Sequence, residues 1–181
     1  YLETARQLGM ENYRQLFSPD TELGRWLATR NTMLRIGRNL FVHAGLSARL
    51  LERDLEMDTL NARMSEGLYR TSKERREDPT LEFLYRSAGP VWYRGMVCTD
   101  EKYDPLTPEQ TDALLRRYDA DRLLVGHTIF PDISTFHDGR VIAVNVQNEL
   151  NRRKNRGRAV LIEGSRISVV GNRGVKRVLE E

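Results

Sequence analysis

Apolar residues recur at helical spacing through Leu2, Ala5, Leu8, Tyr13, Leu16 and Phe17, which predicts a first helix broken by Ser18-Pro19-Asp20. Leu23, Trp26 and Leu27, with Ser18 or Thr21 as a cap, predict a short second helix. The pattern then changes. Met33 to Ile36 and Leu40 to His43 are short apolar runs separated by Gly37-Arg38-Asn39, and they predict a tight strand pair with His43 at the outgoing end. Helical spacing returns in Leu50, Leu51 and Leu55, then in Leu60, Met64 and Leu68, so 46–88 is read as a helical cap or insertion. The charged stretch "RTSKERREDP" inside it is read as a solvated loop, because its acids and bases nearly balance.

Gly89-Pro90 punctuates the chain before "VWYRG". Thr107-Pro108-Glu109-Gln110 combines an N-cap, a proline at the first helical position and a glutamine three residues after the cap, predicting a helix through Leu114 and Leu115. That helix leads into "RLLVGHT", a short strand ending in Gly126 and His127, an order expected of a packed α/β layer. Ile133 to Phe136 and Val141 to Val146 flank Asp138-Gly139 as a hairpin, and Ala159 to Ile162 and Ile167 to Val170 flank Glu163-Gly164-Ser165-Arg166 as another. Residues 147–158 form a polar, basic linker.

Composition narrows the class. At 181 residues the chain has the length of one domain, and 39% hydrophobic with 30% charged residues fits a globular protein. No apolar run is long enough to span a bilayer as a helix, so no membrane partner is expected. The net charge of +3 rests mainly on arginine, whose planar fork suits phosphates and carboxylates. The basic run "NRRKNRGR" has no interleaved aromatic residues, which argues against nucleic acid as a partner. A lone Cys98 excludes an intramolecular disulfide and a cysteine-rich zinc module, and it has no neighbouring base in sequence. The chain enters directly on a helical pattern at Tyr1, which suggests that sequence is missing upstream and leaves the compartment open.

His43 and His127 occupy equivalent places, each closing an apolar strand and each near a glycine. Ligand-binding loops of α/β proteins gather at such strand ends, and imidazole is the commonest metal-binding side chain. His137, in the turn "FHDGR", reads as ordinary hairpin chemistry.

"FVHAGLS", "GPVWYRG", "VGHT" and "HDGRVIAVNV", in this order, resemble the later half of a calcineurin-like metallophosphoesterase of the phosphoprotein phosphatase branch, nearest to the bacterial Shewanella-like phosphatases. "SPDTELGRWL" and "AVLIEGSRISVV" extend the resemblance over nearly the whole chain. It implies an α/β (α+β) fold, a calcineurin-like two-sheet β-sandwich flanked by helices, with 1–181 as its C-terminal half. It also implies two divalent metal ions (Mn, Fe or Zn) in the full-length enzyme, with His43 and His127 as ligands of one of them. Arg94 in "WYRG" is implied to bind substrate phosphate, beside a Trp92 otherwise read as a core residue. Two such ions about 3.5–4 Å apart activate a bridging water for in-line attack on phosphorus. The small pair Ala44-Gly45 after His43 would leave room for metal and substrate.

The resemblance has gaps. The GD-x-HG, GD-x-x-DRG and GNHE motifs of that family are absent, so no catalytic residue is assigned in this chain, and the fragment alone is expected to be inactive. Ala44, Asn145 and Gln147 stand where glycine, aspartate and glycine are expected, which keeps open a regulatory module that binds phosphate without hydrolysing it. The leading expectation is a metal-dependent phosphatase acting on a phosphorylated protein or small phosphomonoester, with dinucleoside polyphosphate hydrolysis as a related alternative. Half a sandwich would expose a sheet face, so the upstream half of the same protein or another copy of the chain is expected as a partner.

Overall fold

The computed structural model describes residues 13–154 and 156–180. The predicted first helix falls largely outside them, and its described part is α1 (Tyr13–Leu16). α2 (Glu22–Ala28) follows, capped by the Thr21 hydroxyl, which accepts the Gly24 amide. β1 (Met33–Ile36), β2 (Asn39–Val42), β3 (Arg122–Val125), β4 (Ser134–Phe136) and β5 (Val141–Ala143) form one mixed sheet in the order β1-β2-β3-β5-β4. The three inner strands run parallel and the two edge strands antiparallel to their neighbours. β6 (Arg158–Glu163), β7 (Arg166–Gly171) and β8 (Lys176–Glu180) make a second, antiparallel sheet.

Between β2 and β3 lie α3 (Arg49–Arg53), α4 (Met57–Gly67), α5 (Ser72–Arg76), α6 (Pro79–Tyr85) and α7 (Pro108–Arg117). Strand alternation explains how the layers meet. Leu40, Val42, Leu123, Val125, Val141 and Ala143 face the helices and join Leu50, Leu60, Leu84 and Leu114 in the larger core. Leu124 and Ile142 point the other way and pack with Ile167 and Val169 of β7. The sheet is therefore covered on one face by helices and on the other by the second sheet. That cover stops short of β1, where Leu34 and Ile36 are 45% and 59% exposed.

Some elements differ from the sequence reading, and local chemistry explains them. α5 forms where a loop was expected, because Thr71 and Glu74 make a reciprocal capping box around the charged stretch. The basic stretch contains α8 (Asn148–Arg153), with Glu149 bridging Arg153 at 2.5 Å, and Arg158 pairs with Asp132 at 2.7 Å. β8 was not anticipated, since Lys176 to Glu180 show no clean alternation. In the second hairpin Gly164 takes φ 64°, the left-handed conformation its turn requires.

One long-range polar clamp attaches β1 to the helical layer. Asn61 of α4 is buried, its Oδ1 accepts the amides of Thr32 (2.9 Å) and Met33 (2.8 Å), and its Nδ2 donates to the Met33 carbonyl (2.9 Å). Asn61→Ala strands three backbone groups and is expected to destabilise the fold by about 2–3 kcal/mol. Urea unfolding checks this; a change below about 0.5 kcal/mol would show that water replaces the clamp.

Candidate active site

β2 and β3 are parallel neighbours, with Val42 opposite Val125, so the residues that follow them emerge side by side. The Gly126 amide donates to the His43 carbonyl at 2.8 Å, continuing the ladder one step past the strands. His127 then turns with φ 59°, a left-handed conformation uncommon outside glycine, and this directs its ring back toward β2. His43 Nε2 and His127 Nδ1 lie 3.1 Å apart, and the rings meet edge-on with centroids 4.9 Å apart. His127 Nε2 is buried with no hydrogen-bond partner among the described residues. Burial, then the Arg94 charge, then His43 push the His127 pKa below the usual imidazole range, favouring the neutral ring.

Arg94 reaches the same place from the loop after α6. Its Nη1 donates to the Thr128 hydroxyl at 3.1 Å, next to His127, which leaves the other guanidinium N–H groups for a ligand. The Pro90 carbonyl accepts the amides of Ala44 (3.0 Å) and Gly45 (3.4 Å), binding this loop to the chain just beyond His43. Trp92 is not a core residue. It is 54% exposed and stands edge-on to His127 with ring centroids 5.5 Å apart.

The structure thus brings His43, His127 and Arg94 together, and adds Trp92 and Thr128. Thr128 could have been suspected from its place in "VGHT", whereas nothing in the sequence marked Trp92 as a surface residue. The Ala44-Gly45 pair has a different purpose from the one expected. A Cβ on Gly45 would sit 3.1 Å from the Tyr93 carbonyl and 3.3 Å from Met96 Cγ, and Ala44 is buried, so small residues here allow the loop to pack. His137 braces the first hairpin away from this cluster, with Nε2 3.0 Å from the Met96 carbonyl and Nδ1 3.3 Å from the Thr111 hydroxyl. Cys98 is half-buried against the larger core.

A strand-tip cluster of two imidazoles, a guanidinium and an exposed indole is equipped to hold an oxyanion and exchange protons with it. Comparison with solved structures adds to this. Two of them, a cold-active protein tyrosine phosphatase solved at 1.1 Å and the cold-active protein-tyrosine phosphatase of a psychrophilic Shewanella, superimpose with TM-scores of 0.82 at 29% identity. This chain shares their fold. The match covers 92% of the chain but 47–48% of theirs, so the chain spans about half the length of these structures. No protein-family model matches the chain, and no curated protein matches it.

These findings correct the family expectation. The matched structures are named protein tyrosine phosphatases and no metallophosphoesterase model matches, so the calcineurin-like assignment is not retained; the α/β class with its mixed sheet stands. The two divalent ions (Mn, Fe or Zn) implied with that family are corrected as well. Among the described residues no group of three or more His, Cys, Asp and Glu side chains is placed to hold a metal ion. His43 and His127 supply two nitrogens, against the three or four protein ligands such ions normally take. The residues present do not fit the metal centre, and no step is derived through one. Among the described residues no helix is long and apolar enough to cross a membrane.

Proposed function

We propose that this chain belongs to a phosphatase acting on phosphomonoesters, with phosphotyrosyl proteins as the leading substrate class. The observation that carries the reading is the Arg94 guanidinium, fixed by Thr128 beside the His43–His127 pair. The likeness to two protein tyrosine phosphatases across 92% of the chain supports it.

In this reading Arg94 holds two non-bridging phosphate oxygens through its free N–H groups. His127, biased toward its neutral form, is suited to exchange a proton with a bound phosphate or an attacking water, and His43 orients it through the 3.1 Å contact. The indole of Trp92 offers an aromatic edge where a phosphotyrosine ring would lie. The exposed Leu34 and Ile36 along β1 suit a further stretch of polypeptide, either more of the same protein or a second copy.

Release of inorganic phosphate from p-nitrophenyl phosphate and from a phosphotyrosyl peptide tests the proposal. Turnover that falls when His127 is replaced by glutamine is expected. Absence of phosphate release from both substrates by the folded protein overturns it.

A further inference from the structure

Next to this cluster lies a cavity of about 610 Å³ whose charge the site chemistry leaves unexplained. Arg94 and Trp92 form part of its wall, so it opens directly from the proposed phosphate position. Its lining includes six cationic side chains, Arg49, Arg75, Arg76, Arg86, Arg94 and Lys102, against only two carboxylates, Glu82 and Asp104.

Internal pairing offsets little of that excess. Arg86 lies 3.4 Å from Glu82, and Lys102 is 2.8 Å from Asp100. Arg49, Arg75, Arg76 and Arg94 have no carboxylate within ion-pair distance among the described residues. Arg75 is held in place instead: its Nε donates to the Gly67 carbonyl at 2.9 Å, and its guanidinium stacks over the Tyr85 ring at 4.0 Å. Like charges gathered in a concave wall repel one another and raise the local potential, and an anion entering the cavity relieves both. Aromatic surface from Tyr85, Tyr93 and Tyr103 lines the same space, which is unlike a simple solvated basic face.

We propose that this cavity is a second anion-binding site, selecting phosphopeptides that carry an acidic side chain close to the phosphorylated residue. The assignment rests on the proposed function only in placing the phosphate at Arg94. The cavity supplies recognition of the flanking charge, with Arg49 and Arg76 as the exposed groups that meet it.

Two peptides test this, each bearing a non-hydrolysable phosphonate in place of phosphotyrosine, one with three flanking glutamates and the other with three flanking glutamines. Fluorescence anisotropy is expected to show the glutamate peptide binding about tenfold more tightly at low salt, with the preference shrinking as salt is raised. Arg49→Gln combined with Arg76→Gln should bring the ratio close to one and leave affinity for the glutamine peptide unchanged. Equal affinities in the unmodified protein overturn the proposal without reference to any variant, as does a preference that survives the double substitution. Turnover of p-nitrophenyl phosphate, measured in parallel, separates the two readings. Turnover with equal peptide affinities removes only the cavity assignment, whereas discrimination between peptides without turnover keeps it and removes the phosphatase.

Discussion

Under the proposed function, Arg94→Ala is expected to lower kcat/KM for p-nitrophenyl phosphate by about 10²- to 10³-fold, the loss that follows when a preorganised donor to a developing phosphoryl charge is removed. Arg94 is half-buried, and its Nη1 is committed to Thr128 at 3.1 Å, so the remaining N–H groups present a fixed fork rather than a mobile charge. Arg94→Lys keeps the charge but cannot make the two-pronged contact, and should recover only a small part of the rate. Thr128→Val leaves the guanidinium in place chemically but unanchored, and a loss of about tenfold is expected from its misplacement. Thermal unfolding should hardly change in Arg94→Ala, because the side chain has no ion-pair partner among the described residues. Unchanged kinetics in Arg94→Ala would remove the phosphate from this position.

Gly89→Ala should be strongly damaging for a single-methyl change, destabilising by about 3 kcal/mol or more. A Cβ at Gly89 would lie 2.5 Å from the Leu84 carbonyl carbon and 2.9 Å from the Phe83 oxygen, both backbone atoms of α6 that cannot rotate aside. Gly89 is also the hub of the turn that aims the site. Its amide donates to Arg86 at 2.8 Å, and its carbonyl accepts the amides of Trp92 (3.1 Å) and Tyr93 (3.0 Å). The next residue, Pro90, is the acceptor that binds the loop to Ala44 and Gly45. A shift sufficient to admit the methyl therefore moves Trp92 and Arg94 together, away from His127. The expected result is a fall in melting temperature of roughly 6–12 °C for a domain of this size, with activity lost beyond what the unfolded fraction explains. A folded variant of unchanged stability would show that α6 yields more readily than its packing implies.

Much of the secondary structure is written in short-range chemistry. The runs Leu40 to Val42 and Leu123 to Val125 are apolar and short because they become inner parallel strands packed on both faces, Leu40, Val42, Leu123 and Val125 against the helices and Phe41 and Leu124 toward the second sheet. Thr107 and Gln110 cap α7, and Gly164 shapes the second hairpin, through bonds made within a few residues of chain. α5 is the exception: its Thr71–Glu74 capping box stands in a stretch whose balanced charges read as a solvated loop.

The sequence by itself therefore determined the periods, the caps and turns, and the two histidines at strand ends. Only the tertiary structure decided that β2 and β3, some eighty residues apart along the chain, lie side by side and set those rings 3.1 Å from each other. It alone decided that the Gly89 turn delivers Arg94 and an exposed Trp92 to the same point, and that no third metal-ligating side chain joins them among the described residues. The reason is physical: periodicity and capping are encoded by neighbours in sequence, whereas which strand pairs with which, and which side chains a loop presents, are set by how all the layers bury their apolar faces at once.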